Sequence, residues 1–91
     1  MRQLRWAAGA LDDLDRIAAF SEQRSSQWAH RVQNAITARA EQLLDAPLRA
    51  RLAAGGDERT VLIADFQYVL TYSVTDAFVI VQSVRHAREI R

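Results

Sequence analysis

The chain has 91 residues, 49% hydrophobic and 25% charged, with a formal net charge of +1, which fits one small globular domain over 1–91 and argues against a strongly basic nucleic-acid binder. No apolar run approaches the roughly 20 residues of a membrane helix, and acidic residues arrive at Asp12, too early for a signal peptide. Cysteine is absent, which removes disulfides and thiolate metal sites. The expectation is a cytoplasmic protein without a metal or cofactor. Every one of the 12 basic residues is Arg, so each can make planar, bidentate contacts with carboxylate or phosphate; the main cause expected for that composition is GC-rich codon usage.

Gln3 to Trp6 is strand-like. Ala10, Leu14, Ile17 and Ala18, with Leu11 and Phe20, then recur on one helical face, which predicts a helix over Ala8 to Glu22. Asp12, Asp13 and Asp15 fall in its first turns, where carboxylates favour the positive end of the helix dipole. Ser25 and Ser26 offer an N-cap, and Trp28, Val32, Ile36, Leu43 and Leu44 carry a second helix over Ser26 to Asp45, ended by Pro47. The short link Gln23 to Ser25 makes the pair an antiparallel hairpin. Leu48 to Arg59 reads as a loop with a turn at Gly55-Gly56-Asp57.

Thr60 to Ala64, Tyr68 to Val74 and Phe78 to Val84 are rich in β-branched and aromatic residues at hairpin separations. Phe78 to Val81 is apolar on both faces, which places that strand away from a solvated edge. The predicted fold is α+β, β-α-α-β-β-β, with the helix hairpin on a mainly antiparallel four-stranded sheet. Leu14, Ile17, Phe20, Val32, Ile36, Leu43, Leu70 and Tyr72 are its predicted core.

No phosphate-binding glycine loop is present, and His30, mid-helix among polar residues, reads as a surface side chain. His86 differs, because Arg85, Arg88 and Arg91 surround it. A histidine among arginines has the composition of a metal-free ribonuclease centre acting through the RNA 2′-hydroxyl. The same cluster serves equally as a contact surface or as solubilising charge.

Trp6, Ala10, Asp13-Leu14, Ile17, Phe20, then Ala29, Val32, Ile36, Leu44 and Pro47, then Tyr68 to Val74, then Val84-Arg85-His86-Ala87-Arg88, together resemble the RelE/ParE superfamily of bacterial type II toxin–antitoxin toxins over nearly the whole chain. The resemblance implies a toxin that forms a hetero-oligomer with a cognate antitoxin, through Arg85, His86, Arg88, Arg91, Tyr68 and Tyr72 as antitoxin- or target-binding residues. RelE-like members cut mRNA on the ribosome with basic residues on the sheet, one of them just before the core of the middle strand. Val69 takes that position in this sequence. The lysines of such members are absent as well, leaving Arg49, Arg51 or Arg59 as substitute charges. ParE-like members poison DNA gyrase and end their last strand in a pattern similar to His86-Ala87-Arg88. The resemblance therefore implies a ParE-like gyrase inhibitor. Its alternatives are a ribosome-dependent endoribonuclease with His86 and Arg88 as catalytic residues, and a non-toxic remnant that only binds antitoxin.

Overall fold

A computed structural model describes residues 1–53 and 56–90, the last two as backbone. The elements run β1 (Gln3–Trp6), α1 (Ala8–Glu22), α2 (Ser26–Gln42), β2 (Arg59–Ile63), β3 (Tyr68–Val74), β4 (Phe78–His86) and a short 3-10 turn (Ala87–Ile90). The order is the predicted one. The sheet is β1-β4-β3-β2, with β1 parallel to β4 and the other pairs antiparallel. Doubly apolar β4 lies inside the sheet, as its composition requires.

Local chemistry accounts for the helix hairpin. The Ser25 hydroxyl caps α2 by accepting the Trp28 N–H at 3.0 Å, satisfying one of the donors a helix N-terminus leaves unpaired. Ser26 donates to Glu22 at 3.0 Å, and Gln33 donates its amide to the Leu14 carbonyl at 3.4 Å. These pairs climb one helix while descending the other, so α1 and α2 are antiparallel. The second helix ends at Gln42, three residues short of the predicted Asp45: Leu43, Leu44 and Asp45 donate to carbonyls three residues back, the tightened geometry of a closing turn.

The core lies between the helices and one sheet face: Ile17, Val32, Ile36, Leu43, Leu70, Tyr72, Val79, Val81 and Val84 are buried, with Leu14 packed against them. Phe20 corrects the prediction. It shares the apolar periodicity of α1 but is 69% exposed, because it sits beyond the stripe of Ala10, Asp13, Ile17 and Ser21 that meets the sheet. Asp13 corrects another expectation. Its carboxylate is buried and accepts the backbone N–H of Val84 at 2.9 Å, 71 residues away. The pairing of β1 with β4 stops at Trp6 and Val81, so beyond that point Asp13 supplies the acceptor that a longer β1 would have provided.

Tyr72 is wholly buried and donates its hydroxyl to the Pro47 carbonyl at 2.6 Å, while Arg59 donates to the carbonyls of Leu48 and Ala50 at 3.1 and 2.7 Å. Together they pin the segment after α2 to the sheet. Burial raises the Tyr72 pKa above its ordinary value of 10.0, an effect that Arg59 and Arg39 partly oppose. The folded pKa exceeds the unfolded one, so this stabilisation is complete below about pH 10 and is lost as pH rises through the raised value. Tyr72→Phe is therefore expected to cost about 1–2 kcal/mol at neutral pH and to lose less stability above about pH 10 than the parent. Chemical denaturation at neutral and alkaline pH measures both; identical alkaline limbs would refute the assignment.

Candidate functional site

β4 runs two residues past the predicted Val84, so Arg85 and His86 are part of the strand. Their faces are set by an irregularity upstream. Tyr72 pairs with Val81 but Thr71 pairs with Ser83, leaving Gln82 without a register partner. An extra residue of this kind reverses which face the later side chains occupy. Val79 and Val81 face the helices before the bulge, and Val84 does so after it, all three fully buried. Gln82 turns its amide to the Ser73 hydroxyl at 2.9 Å.

The bulge separates the basic cluster. Arg85, opposite Val69, is exposed on the face the helices leave open. His86, opposite Tyr68, lies on the helix side with its ring edge-on to that tyrosine, centroids 5.3 Å apart. Arg88, just past the strand, lines a groove of about 590 Å³ together with Arg16, Ile17, Phe20, Tyr68 and His86. A second hollow of about 170 Å³ shares Phe20, Tyr68 and His86 and adds Arg24, Trp28 and Phe66. Phe20 forms the wall common to both.

Several contacts hold this surface in shape. Asp13 accepts from Arg16 at 3.3 Å with the oxygen not used by Val84. Arg24 lies over the Trp28 ring, 4.1 Å from its centroid, and Phe66 meets the same indole edge-on at 5.1 Å. The Ala87 N–H donates to the carbonyl of Gln67 at 2.7 Å, and Gln67 takes the left-handed φ of 60°. The Arg88 N–H donates to His86 Nδ1 at 3.2 Å. A ring nitrogen that accepts carries no proton, so the proton of the neutral imidazole is on Nε2.

Of the sequence-predicted residues, Tyr68, His86 and Arg88 come together, Arg85 lies on the opposite face, and Tyr72 is in the core with no exposed surface. Arg91 lies outside the described residues, as does Gly55 of the predicted turn. Sequence reasoning missed Arg16, Phe20, Arg24 and Trp28 as groove residues. A signal existed for two of them, since Arg16 and Phe20 stand one helical turn apart on the same flank. His30 is exposed, as predicted. Among the described residues no group of three or more acidic or histidine side chains is placed to hold a metal, and no helix is long and apolar enough to cross a membrane.

The molecule thus falls in the class of small α+β proteins with a helix hairpin on one sheet face and a basic, partly apolar groove where the last strand ends. Residues 4–91 match the family described as the ParE toxin of the type II toxin–antitoxin system parDE, and the chain belongs to that family. It is 32% identical to toxin RelE2 of Caulobacter vibrioides over 90 residues, covering 99% of this chain and 100% of the relative. Among solved structures, it superposes on a chain of the chromosomal ParDE toxin–antitoxin system of P. aeruginosa with a TM-score of 0.84 at 17% identity, covering 94% of this chain and 96% of the other. YafQ from E. coli gives a TM-score of 0.65 at 12% identity, covering 99% and 98%. The same score, identity and coverage hold for a chain of the E. coli DinJ–YafQ complex.

Proposed function

We propose that this type II toxin acts by inhibiting DNA gyrase rather than by cutting RNA, and that a cognate antitoxin neutralises it in a hetero-oligomer. The observation that carries the non-nuclease part is the hydrogen bond from the Arg88 N–H to His86 Nδ1. A general base must offer a lone pair to the proton it removes. In His86 one ring nitrogen already accepts from the backbone and the other is a donor, so the imidazole has no lone pair for a substrate hydroxyl. Val69 supports the same reading from the open face, where an apolar side chain stands at the position that the RelE-like resemblance fills with a cation.

Membership of the ParE family supports gyrase as the target. Tyr68, His86 and Arg88 on the helix side, with Arg85 on the open face, are the residues proposed to meet antitoxin or target. The reading is tested by titrating purified protein into a gyrase supercoiling reaction. Dose-dependent loss of supercoiled product is expected; full supercoiling with the protein in excess over gyrase would overturn it.

One observation favours a second reading, that of a ribosome-dependent endoribonuclease. The groove gathers a histidine, a tyrosine and two arginines, groups able to move a proton and to stabilise phosphate charge. For that chemistry Nδ1 would first have to release the Arg88 N–H.

A further inference from the structure

We infer that the hollow between the end of α2 and the outer edge of β2 binds the phosphate of a small phosphomonoester, held by the guanidinium groups of Arg39 and Arg49 and the side-chain amide of Gln42. The site is separate from the groove where β4 ends, and the inference stands whichever target the toxin has.

Position is the first argument. The hollow measures about 470 Å³, and Arg39, Gln42, Asp45 and Arg49 surround a floor that includes Val61 and Tyr72. Val61 pairs with Leu70, and Leu70 and Tyr72 belong to the face the helices cover. Val69 and Arg85 lie on the opposite side of the sheet. Arg49 also stands on a fixed backbone. The carbonyls on either side of it, Leu48 and Ala50, are held by Arg59, and that of Pro47 by Tyr72, so little ordering is required when a ligand arrives.

Charge is the second argument. Two arginines face one carboxylate, Asp45, on this wall, and among the described residues neither arginine forms an ion pair. Arg39 donates to Gln42 Oε1 at 3.5 Å, a distance that marks a weak bond. With its oxygen engaged, Gln42 presents the amide N–H groups as donors. Arg59 strengthens the field from behind, and it and Arg39 both act on the Tyr72 hydroxyl beneath. A helix C-terminus ordinarily disfavours an anion, but the N–H groups of Leu43, Leu44 and Asp45 already take up the carbonyls of Ala40, Glu41 and Gln42. Two guanidinium forks with a third cation behind them exceed the charge of one carboxylate. A phosphate dianion supplies both the charge and three acceptor oxygens.

The rest of the ligand has a place as well. An adjoining hollow of about 230 Å³ shares Arg39, Gln42 and Leu62 and adds Ala35 and Ala38. Its small apolar side chains suit a flat ring carried on the phosphate better than a hydroxylated sugar.

The test is an NMR titration of the isotopically labelled full chain with AMP, adenosine, glucose 6-phosphate and inorganic phosphate. AMP is expected to shift Arg39, Gln42, Arg49 and Leu62 with a Kd below about 1 mM. Adenosine, glucose 6-phosphate and inorganic phosphate should each bind about tenfold more weakly or worse. Arg39→Gln and Arg49→Gln should each weaken AMP about tenfold. Arg31→Gln, exposed and about two turns earlier on α2, should leave it unchanged. Arg49 is exposed, so its variant keeps the fold and decides the matter even if Arg39→Gln is unstable. The inference is overturned if about 10 mM AMP moves none of these signals, if adenosine binds as tightly as AMP, or if Arg49→Gln binds AMP like wild type. Equal binding of inorganic phosphate would overturn the ester in favour of a bare anion site. Tighter binding of a single-stranded oligouridine at the same residues would overturn it in favour of RNA.

Discussion

Asp13→Ala is expected to destabilise the protein by about 3 kcal/mol, because it removes a charged acceptor from a buried backbone N–H and provides no replacement. The Asp13 side chain is 12% exposed, so water offers little compensation, and its two oxygens serve Val84 and Arg16 separately. The contact to Arg16 is the smaller part. That guanidinium is 48% exposed, and ion pairs in such solvent contact contribute about 0–1 kcal/mol. The bond to Val84 is the larger part, since on the β1 side the strand pairing of β4 stops at Val81 and Asp13 takes the N–H in its place. For a chain of this size, 3 kcal/mol corresponds to a fall in Tm of about 10–20 °C. Asp13→Asn retains an amide oxygen for Val84 and should lose roughly half as much. Urea unfolding of the three proteins measures the series. A loss below about 0.5 kcal/mol for Asp13→Ala, within the range of ordinary surface substitutions, would show that the carboxylate does not hold α1 to β4.

The two helices and four strands were readable in the sequence because their periods are unmixed. Leu70, Tyr72 and Val74 alternate with Thr71 and Ser73, and Val32, Ile36, Ala40 and Leu43 follow a helical repeat. The candidate site was legible only as a run of residue types, because its geometry depends on one uncounted residue. Gln82 and Ser83 are consecutive polar residues between the apolar run Phe78 to Val81 and Val84, a visible break in the pattern. Which of them is left unpaired is decided by the pairing of β4 with Thr71 and Tyr72, a contact across the sheet that no local pattern encodes. Without the bulge Arg85 would face the groove and His86 the open side.

Asp13 and Phe20 escaped for a related reason. A helical repeat gives the direction of a side chain but not how far the neighbouring sheet extends. Asp13 is buried because β1 ends early, and Phe20 is exposed because it lies past the stripe that the sheet covers. Both facts concern the outline of the sheet. The acidic residue therefore resembled dipole charge and the aromatic one resembled core.

mRNA on programmed ribosomes should stay intact in the presence of the wild-type protein, and His86→Ala should leave that result unchanged. The expectation rests on proton accounting. Cleavage through the 2′-hydroxyl needs a base for that proton, charge on the developing phosphorane oxygens and an acid for the leaving oxygen. His86 accepts from the Arg88 N–H through Nδ1 and carries its proton on Nε2, so it offers the substrate a donor without a base. Arg16 and Arg88 border the same groove, but guanidinium groups stay protonated in proteins and cannot substitute as the base. If the Arg88 turn opened on the ribosome, Nδ1 would be released and His86 could act. Wild-type protein would then cut, and His86→Ala would lose about 100- to 10,000-fold, the contribution of one acid–base group. Primer extension on mRNA from the two reactions separates these cases. Specific cleavage that disappears with His86 would replace gyrase inhibition with ribonuclease activity and make the bond between Arg88 and His86 the switch that holds the base inactive.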